Sequence, residues 1–417
     1  VFSILTLTAR LVAARWPQLL AWYLAGWLAR YLLIELASVF GAFSALAGLL
    51  ILPLAILARL GSFIAMFLVL RGTMPAFSDF SDRGDDAVDR TAATTPRTRV
   101  TEIFLVSIVP FFAFYAAWKL LEEDTVHYAK SALEKIDYSG GAPDAAVLSL
   151  ALDPLTIAVI VVAFAGRYSL KRFASSLPRW TNLIAVYLES VWVYLTLFLI
   201  VGYTEDVRAW IDSRAGTHLL TELRETVTGA FAPFGWIWGG VEWLVGATGG
   251  LVLLPLAWLT LAGIVYGRAL AQPKVAIRLN NRYYSRVRSR VGALPAGVLY
   301  RAKDVGNDFL ARWKPLASAV VLIWRAGVLP MGIFVLAYTV LEAANGWLLF
   351  AGVQLIGPHD LVAWWMNFDD MLSFVVNVLL EPVRICLIAA AYDFCLRRLE
   401  ERRETLPELE AQEQVAR

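Results

Sequence analysis

Residues 45–70, ALAGLLILPLAILARLGSFIAMFLVL, decide the fold class, because 26 consecutive positions carry a single charge, Arg59. As a helix this stretch is about 39 Å long, more than the roughly 30 Å of hydrocarbon in a bilayer. Comparable apolar blocks lie at about 17–37, 101–121, 150–167, 182–203, 249–267, 316–341 and 372–396. Strand-like alternation is absent, which excludes a β-barrel reading. Composition agrees: 59% of the residues are hydrophobic, 17% are charged and the mean hydropathy is +0.61, too little charge to cover a soluble domain of 417 residues. The expected fold is an all-α integral membrane protein of about eight transmembrane helices.

The charges orient that frame. Alternating crossings put residues 1–16, 71–100, 168–181, 268–315 and 397–417 on one side. Together with Arg167 at the end of the fourth block, these hold 27 of the 37 Lys and Arg. The positive side is the cytoplasmic one, so both termini are expected in the cytoplasm, in a cytoplasmic (inner) membrane. Arg15-Trp16, Arg179-Trp180 and Arg312-Trp313 each open an odd-numbered block, where a cation and an amphipathic ring suit the headgroup level. The opening Val-Phe-Ser-Ile-Leu run reads as a short interfacial helix. No cleavage pattern follows it, so no cleavable signal is expected.

A repeat is also visible. Gly48-Leu-Leu-Ile-Leu-Pro-Leu-Ala55 recurs as Gly250-Leu-Val-Leu-Leu-Pro-Leu-Ala257, identical at six of eight positions. Leu152-Asp153-Pro154-Leu155 recurs as Leu380-Glu381-Pro382-Val383. The matching order implies two four-span halves, 1–172 and 173–417, which an even number of crossings makes parallel. The first half holds a polar linker, 72–100, expected to be disordered. The second holds a basic loop, 268–315, with eleven Lys and Arg against Asp304 and Asp308. Val298, Ala302, Val305, Phe309 and Trp313 share a helical face in that loop. Arg301, Lys303, Arg312 and Lys314 lie elsewhere around it, an arrangement suited to anionic lipid rather than to nucleic acid.

Three long outer segments, 122–149, 204–248 and 342–371, have amphipathic helical patterns. In the first, Leu121, Ala129, Leu133 and Ile136 continue the third span; in the second, Leu220, Leu223, Val227 and Phe231 form a similar stripe. Each segment contains one histidine: His127, His218 and His359. Glu123 and Asp360 near two of them suggest a zinc site, but no HExxH or Cys-His cluster supports one, and exposed histidines without a ligand role are the expectation. Cys386 and Cys395 sit on one helix, too far apart to bridge, so no disulfide is expected. No cofactor is implied.

Ionisable side chains inside spans are costly and point to function. Arg59 is expected to meet Glu189, and Arg384 to meet Asp153, while Glu381 and Arg384 share one helical face. Asp153 and Glu381 each precede a proline, where a carboxylate caps a helix that restarts after a break. As equivalent positions in two halves they would face each other at the repeat interface. The pathway candidates are therefore Asp153, Glu381, Arg384, Arg59 and Glu189, in a permease-like or channel-like protein. The competing reading is a non-catalytic scaffold or assembly factor that binds lipids, a partner membrane protein or a second copy. No nucleotide loop, nucleophile elbow or metalloprotease motif argues for an enzyme.

Overall fold

The computed structural model describes residues 2–74, 96–117, 120–136, 154–173, 177–178, 180–212, 249–269 and 327–415. Every element among them is a helix: α1 (Phe2–Gly41), α2 (Ala45–Arg71), α3 (Pro96–Ala117), α4 (Leu120–Lys135), α5 (Pro154–Arg172), α6 (Thr181–Asp212), α7 (Leu254–Ala269), α8 (Val328–Ile356) and α9 (Met366–Val415). Short π-helical turns, Gly249–Leu253 and Leu361–Trp365, lead into α7 and α9.

Five helical stretches are long and apolar enough to cross a membrane: Ser3–Gly41, Ala45–Arg71, Thr181–Val201, Leu329–Ile356 and Phe368–Arg398. The chain is thus an α-helical, polytopic membrane protein. The expected third crossing corresponds to a bent pair, Ile103–Ala117 and Leu120–Lys135, with 78° between its arms. The expected fourth and sixth correspond to shorter apolar helices, Leu155–Leu170 and Leu251–Tyr266. Sixteen residues reach only about 24 Å, short of the hydrocarbon thickness.

Several boundaries differ from the sequence reading. The opening residues are no separate interfacial helix, because α1 is one helix of 40 residues that runs through Pro17. Ile4, Leu7 and Leu11 are buried at helical spacing and belong to the core, so tertiary packing holds the helix together across the proline. The last residues of the expected 72–100 linker are helical, since α3 starts at Pro96; residues 75–95 lie outside the described residues. The expected seventh crossing corresponds to α8, which starts after Gly327, whose φ of 101° breaks the chain direction, and extends to Ile356. Within the expected outer segment 342–371, residues 342–356 therefore belong to α8 and 366–371 to α9. The segment around Leu220–Phe231 and His218, and the lipid-binding candidates Arg301, Lys303, Arg312 and Lys314, lie outside the described residues.

The core forms around α2. Leu49, Leu52, Ile56, Leu60 and Phe67 on it are fully buried. α1 runs antiparallel to α2 after the tight turn at Gly41–Ser44, and Ser62 Oγ donates to the Trp22 carbonyl at 2.9 Å. α9 lies along α1, with the Trp27 and Phe374 ring centroids 4.1 Å apart. α7 closes the other flank through Trp258, edge-on to Phe63 at 4.9 Å, and Tyr266, whose hydroxyl donates to the Phe67 carbonyl at 3.0 Å. α6 packs on α3 and α5, and α8 packs on α9. The first copy of the repeated octapeptide is α-helical within α2, whereas the second opens in the π-helical turn before α7.

Gly41 and Gly48 flank the turn between α1 and α2, and the ring of Tyr128 from α4 fills the space their missing side chains leave. A Cβ at either glycine would overlap the phenol, so this contact is what lets α4 dock across the end of the α1–α2 hairpin. Gly48→Ala is expected to lower the thermal unfolding midpoint of the purified protein, at a cost of about 1–3 kcal/mol for overpacking. The same substitution in a Tyr128→Leu background should be close to neutral. Equal losses in both backgrounds would show that the contact is not the cause.

Candidate functional site

The bend between α3 and α4 creates the site. A continuous helix would carry residues 120–135 away from the bundle; turned by 78°, α4 instead lies against α1. Its buried residues are Leu121, Asp124, Thr125, Tyr128, Ala129 and Ala132, a helical stripe with a carboxylate in the middle. Leu133, expected on that stripe, is exposed. Asp124 is completely buried and is held by two helices. Arg30 Nε from α1 donates to its Oδ1 at 2.9 Å, with Nη2 on the same oxygen, and the Tyr115 hydroxyl from α3 donates to Oδ2. Both carboxylate oxygens are thereby satisfied, as a buried carboxylate requires.

Tyr115 passes the network on. Arg59 Nη1 from α2 donates to the Tyr115 hydroxyl at 3.1 Å. The Arg59 guanidinium carbon lies 5.6 Å from the Tyr115 ring centroid and 6.0 Å from that of Phe63. Delocalised charge over ring faces lowers the cost of burying a guanidinium. The fork of Arg59 thus contacts a phenol and two rings, with no carboxylate of the described residues within ion-pair distance.

A second cluster lies on α8 and α9. Arg384 Nη1 donates to Glu381 Oε1 at 2.6 Å, and Nη2 lies 2.9 Å from Glu342 Oε1. The Tyr338 ring is 5.8 Å from the same guanidinium. Glu381 and Arg384 are 4% and 8% exposed, while Glu342 is half-exposed at the margin. One oxygen of Glu381, Oε2, is enclosed without a hydrogen-bond partner. Tyr23 of α1 stands between the clusters, close enough to feel the charges of Glu381, Arg59, Arg384 and Arg30.

The sequence reading placed some of these residues and missed others. The local Glu381–Arg384 pair is present, and Arg384 takes Glu342 as a second partner rather than Asp153, which lies outside the described residues. Arg59 does not meet Glu189. That glutamate is fully buried between α5 and α6 and pairs with Arg167, which the sequence reading counted with the cytoplasmic-side cations. No break occurs at Pro382, where α9 runs on without interruption, so Glu381 does not cap a restarting helix. The Pro382 ring costs one backbone bond to the preceding turn, a loss that packed membrane helices tolerate. α5 does begin at a proline, Pro154.

The two histidines among the described residues, His127 and His359, do not converge. His127 faces Asp370 of α9 at 3.8 Å. His359 stacks on Trp364 at 4.5 Å, beside Asp360, whose side chain accepts from the Val362 and Ala363 amides and caps the turn into α9. Among the described residues no three His, Cys, Asp or Glu come together as metal ligands. A separate polar clamp joins α1 and α4, where Lys135 Nζ lies 2.5 Å from both Glu35 and Ser38.

Asp124, Tyr115, Tyr23 and Tyr338 were not legible as site residues, and Arg30 only as a charge within a span. Asp124 had one detectable signal: it occupies the apolar register of α4, which a count of apolar residues alone passes over. The chain matches no protein-family model, no curated protein and no solved structure.

Asp124→Ala leaves the Arg30 guanidinium buried without its partner and is expected to destabilise the protein by about 3–5 kcal/mol. Adding Arg30→Met should recover much of that loss. Unfolding midpoints for the two single variants and the double variant test this. Additive losses would mean that the pair is not coupled.

Proposed function

We propose that the chain is a permease-like membrane protein that moves an ion or small solute past the network formed by Arg30, Arg59, Asp124, Glu342, Glu381 and Arg384. The observation that carries this reading is the convergence of six ionisable side chains, from α1, α2, α4, α8 and α9, within helices otherwise built to sit in hydrocarbon. Ion pairs that serve only to hold two helices together need one pair per contact, as Arg167 and Glu189 provide for α5 and α6. Here Tyr115 links Arg59 to the Arg30–Asp124 pair, Tyr23 lies within electrostatic reach of both clusters, and one carboxylate oxygen of Glu381 is left without a donor. Such an arrangement has the makings of a relay whose partners can exchange.

In this reading the bent pair α3–α4 and the shorter helices α5 and α7 complete eight crossings. The two parallel halves, 1–172 and 173–417, meet near α2 and α9, and the cation-rich segments face the cytoplasm. Asp153, the residue before Pro154 in the sequence, would be the first half's counterpart of Glu381.

The second reading, a scaffold, has one feature in its favour. α8 is exposed over most of its length, as Leu336, Val340, Trp347, Phe350 and Leu355 show, and a partner membrane protein would find an unoccupied helix there.

Purified protein in liposomes distinguishes the two. Proton or cation flux is expected for the wild type, with a loss of tenfold or more in Glu381→Gln and in Asp153→Asn. Flux that is unchanged in both variants would contradict the pathway. Absence of flux, together with a stoichiometric membrane-protein partner bound through α8, would establish the scaffold instead.

A further inference from the structure

Three arginines and three carboxylates make up the network, but the contacts divide them unevenly. Arg30 holds Asp124, and Arg384 holds both Glu381 and Glu342. Arg59 holds none, and its one hydrogen bond among the described residues goes to a neutral phenol. A guanidinium has five N–H donors and stays charged under all ordinary conditions. Four of the five on Arg59 therefore have no partner among the described residues. Its Nε and Nη2 are not among the enclosed unpaired atoms, unlike Nε of Arg384, so they retain accessible surface. The residue is half-buried, yet it stands among α1, α3, α4 and α9. Its neighbours also hold it in place: Tyr115 and Phe63 pack against the guanidinium, and Trp258 backs Phe63.

A charge set this deep is costly until a counter-ion reaches it. Among the described residues, Asp124 is engaged on both oxygens and Glu381 by Arg384 on one, while Glu381 Oε2 and Glu123 act on Arg59 only from beyond ion-pair distance. The described residues thus leave the Arg59 fork open to an external partner. We infer that Arg59 is an anion-binding site, and that its ligand carries a carboxylate or phosphate group whose two oxygens fit the open edge of the guanidinium fork. Paired N–H donors in one plane match such groups in bidentate fashion, and charge-assisted bonds of this kind are the stronger ones. The inference rests on reading the network as a pathway, and it adds an anion bound beside that path, either a small anionic solute or the anionic headgroup of a lipid, distinct from the proton or cation whose flux tests the pathway.

The test uses the full chain in phosphatidylcholine nanodiscs, with chloride as the only anion of the buffer. Phenylglyoxal modifies accessible guanidinium groups, and peptide mass spectrometry reads each arginine separately. Arg59 is expected to react faster than Arg30 and Arg384, whose forks are occupied. Inorganic phosphate should slow the reaction at Arg59 alone if the ligand is a soluble anion. Replacing part of the lipid by phosphatidylglycerol, with no phosphate added, should do so if the ligand is a headgroup.

Either result supports the site. Reaction at Arg59 no faster than at Arg384, or no protection by either probe, overturns it. Since these readings need only the wild-type protein, they do not depend on a variant folding. In a thermal-shift titration with the protecting probe, Arg59→Gln should weaken the apparent affinity about tenfold, the equivalent of one charge-assisted bond. Arg59→Lys should give an intermediate value and Glu35→Gln none. Unchanged affinity in Arg59→Gln also overturns the site. Protection without flux removes the transport reading and leaves the site; proton flux without protection does the reverse.

Discussion

A carboxylate cannot be left in hydrocarbon without donors, and the placement of Asp124 is the constraint on which the rest of this structure depends. Its two oxygens take Arg30 from α1 and Tyr115 from α3. Satisfying both fixes α4 against α1 and forces the sharp turn after Ala117. Once α4 is docked, Tyr128 fills the space left by Gly41 and Gly48, and Lys135 reaches Glu35. Tyr115, held by Asp124, presents its oxygen to Arg59. The position of Arg59 is thus set by a residue on a different helix, one that it does not touch directly.

The membrane class was legible because hydrophobic blocks of bilayer length are a one-dimensional signal. Residues 45–70 could be read as α2 almost to the residue. What remained hidden was three-dimensional. Pro382 suggested an interruption, yet α9 passes through it as α1 passes through Pro17, because neighbours packed around them supply what the lost backbone bond removed. Matching opposite charges between spans put Arg59 opposite Glu189, but rotation about the helix axis, which such matching does not contain, gives Glu189 to Arg167. Only pairs close in sequence escaped this problem, which is why Glu381 and Arg384 could be joined in advance.

The most consequential omission was Asp124. Read as part of the polar face of an amphipathic helix, it sat outside the expected span. A polar residue in the apolar register of a helix is the signature of a buried partner elsewhere. Arg30, the one charge in the middle of α1, was that partner. Tyrosines were harder still: burial makes the phenol a bridge, and sequence gives no sign of which of the 15 tyrosines will be enclosed. The network is accordingly a property of the assembled helices, with arginines that the sequence displayed and acceptors that it concealed.

The account stands or falls on how the three arginines share the carboxylates. Solid-state NMR of the protein in lipid bilayers, with labelled guanidinium nitrogens and carboxylate carbons, measures that sharing through dipolar couplings. Strong couplings are predicted for Arg30 with Asp124 and for Arg384 with Glu381, identified by their disappearance in Asp124→Asn and Glu381→Gln, with none from Arg59 to a protein carboxylate. A carboxylate coupled to Arg59, or Arg30 and Arg384 without one, would contradict it.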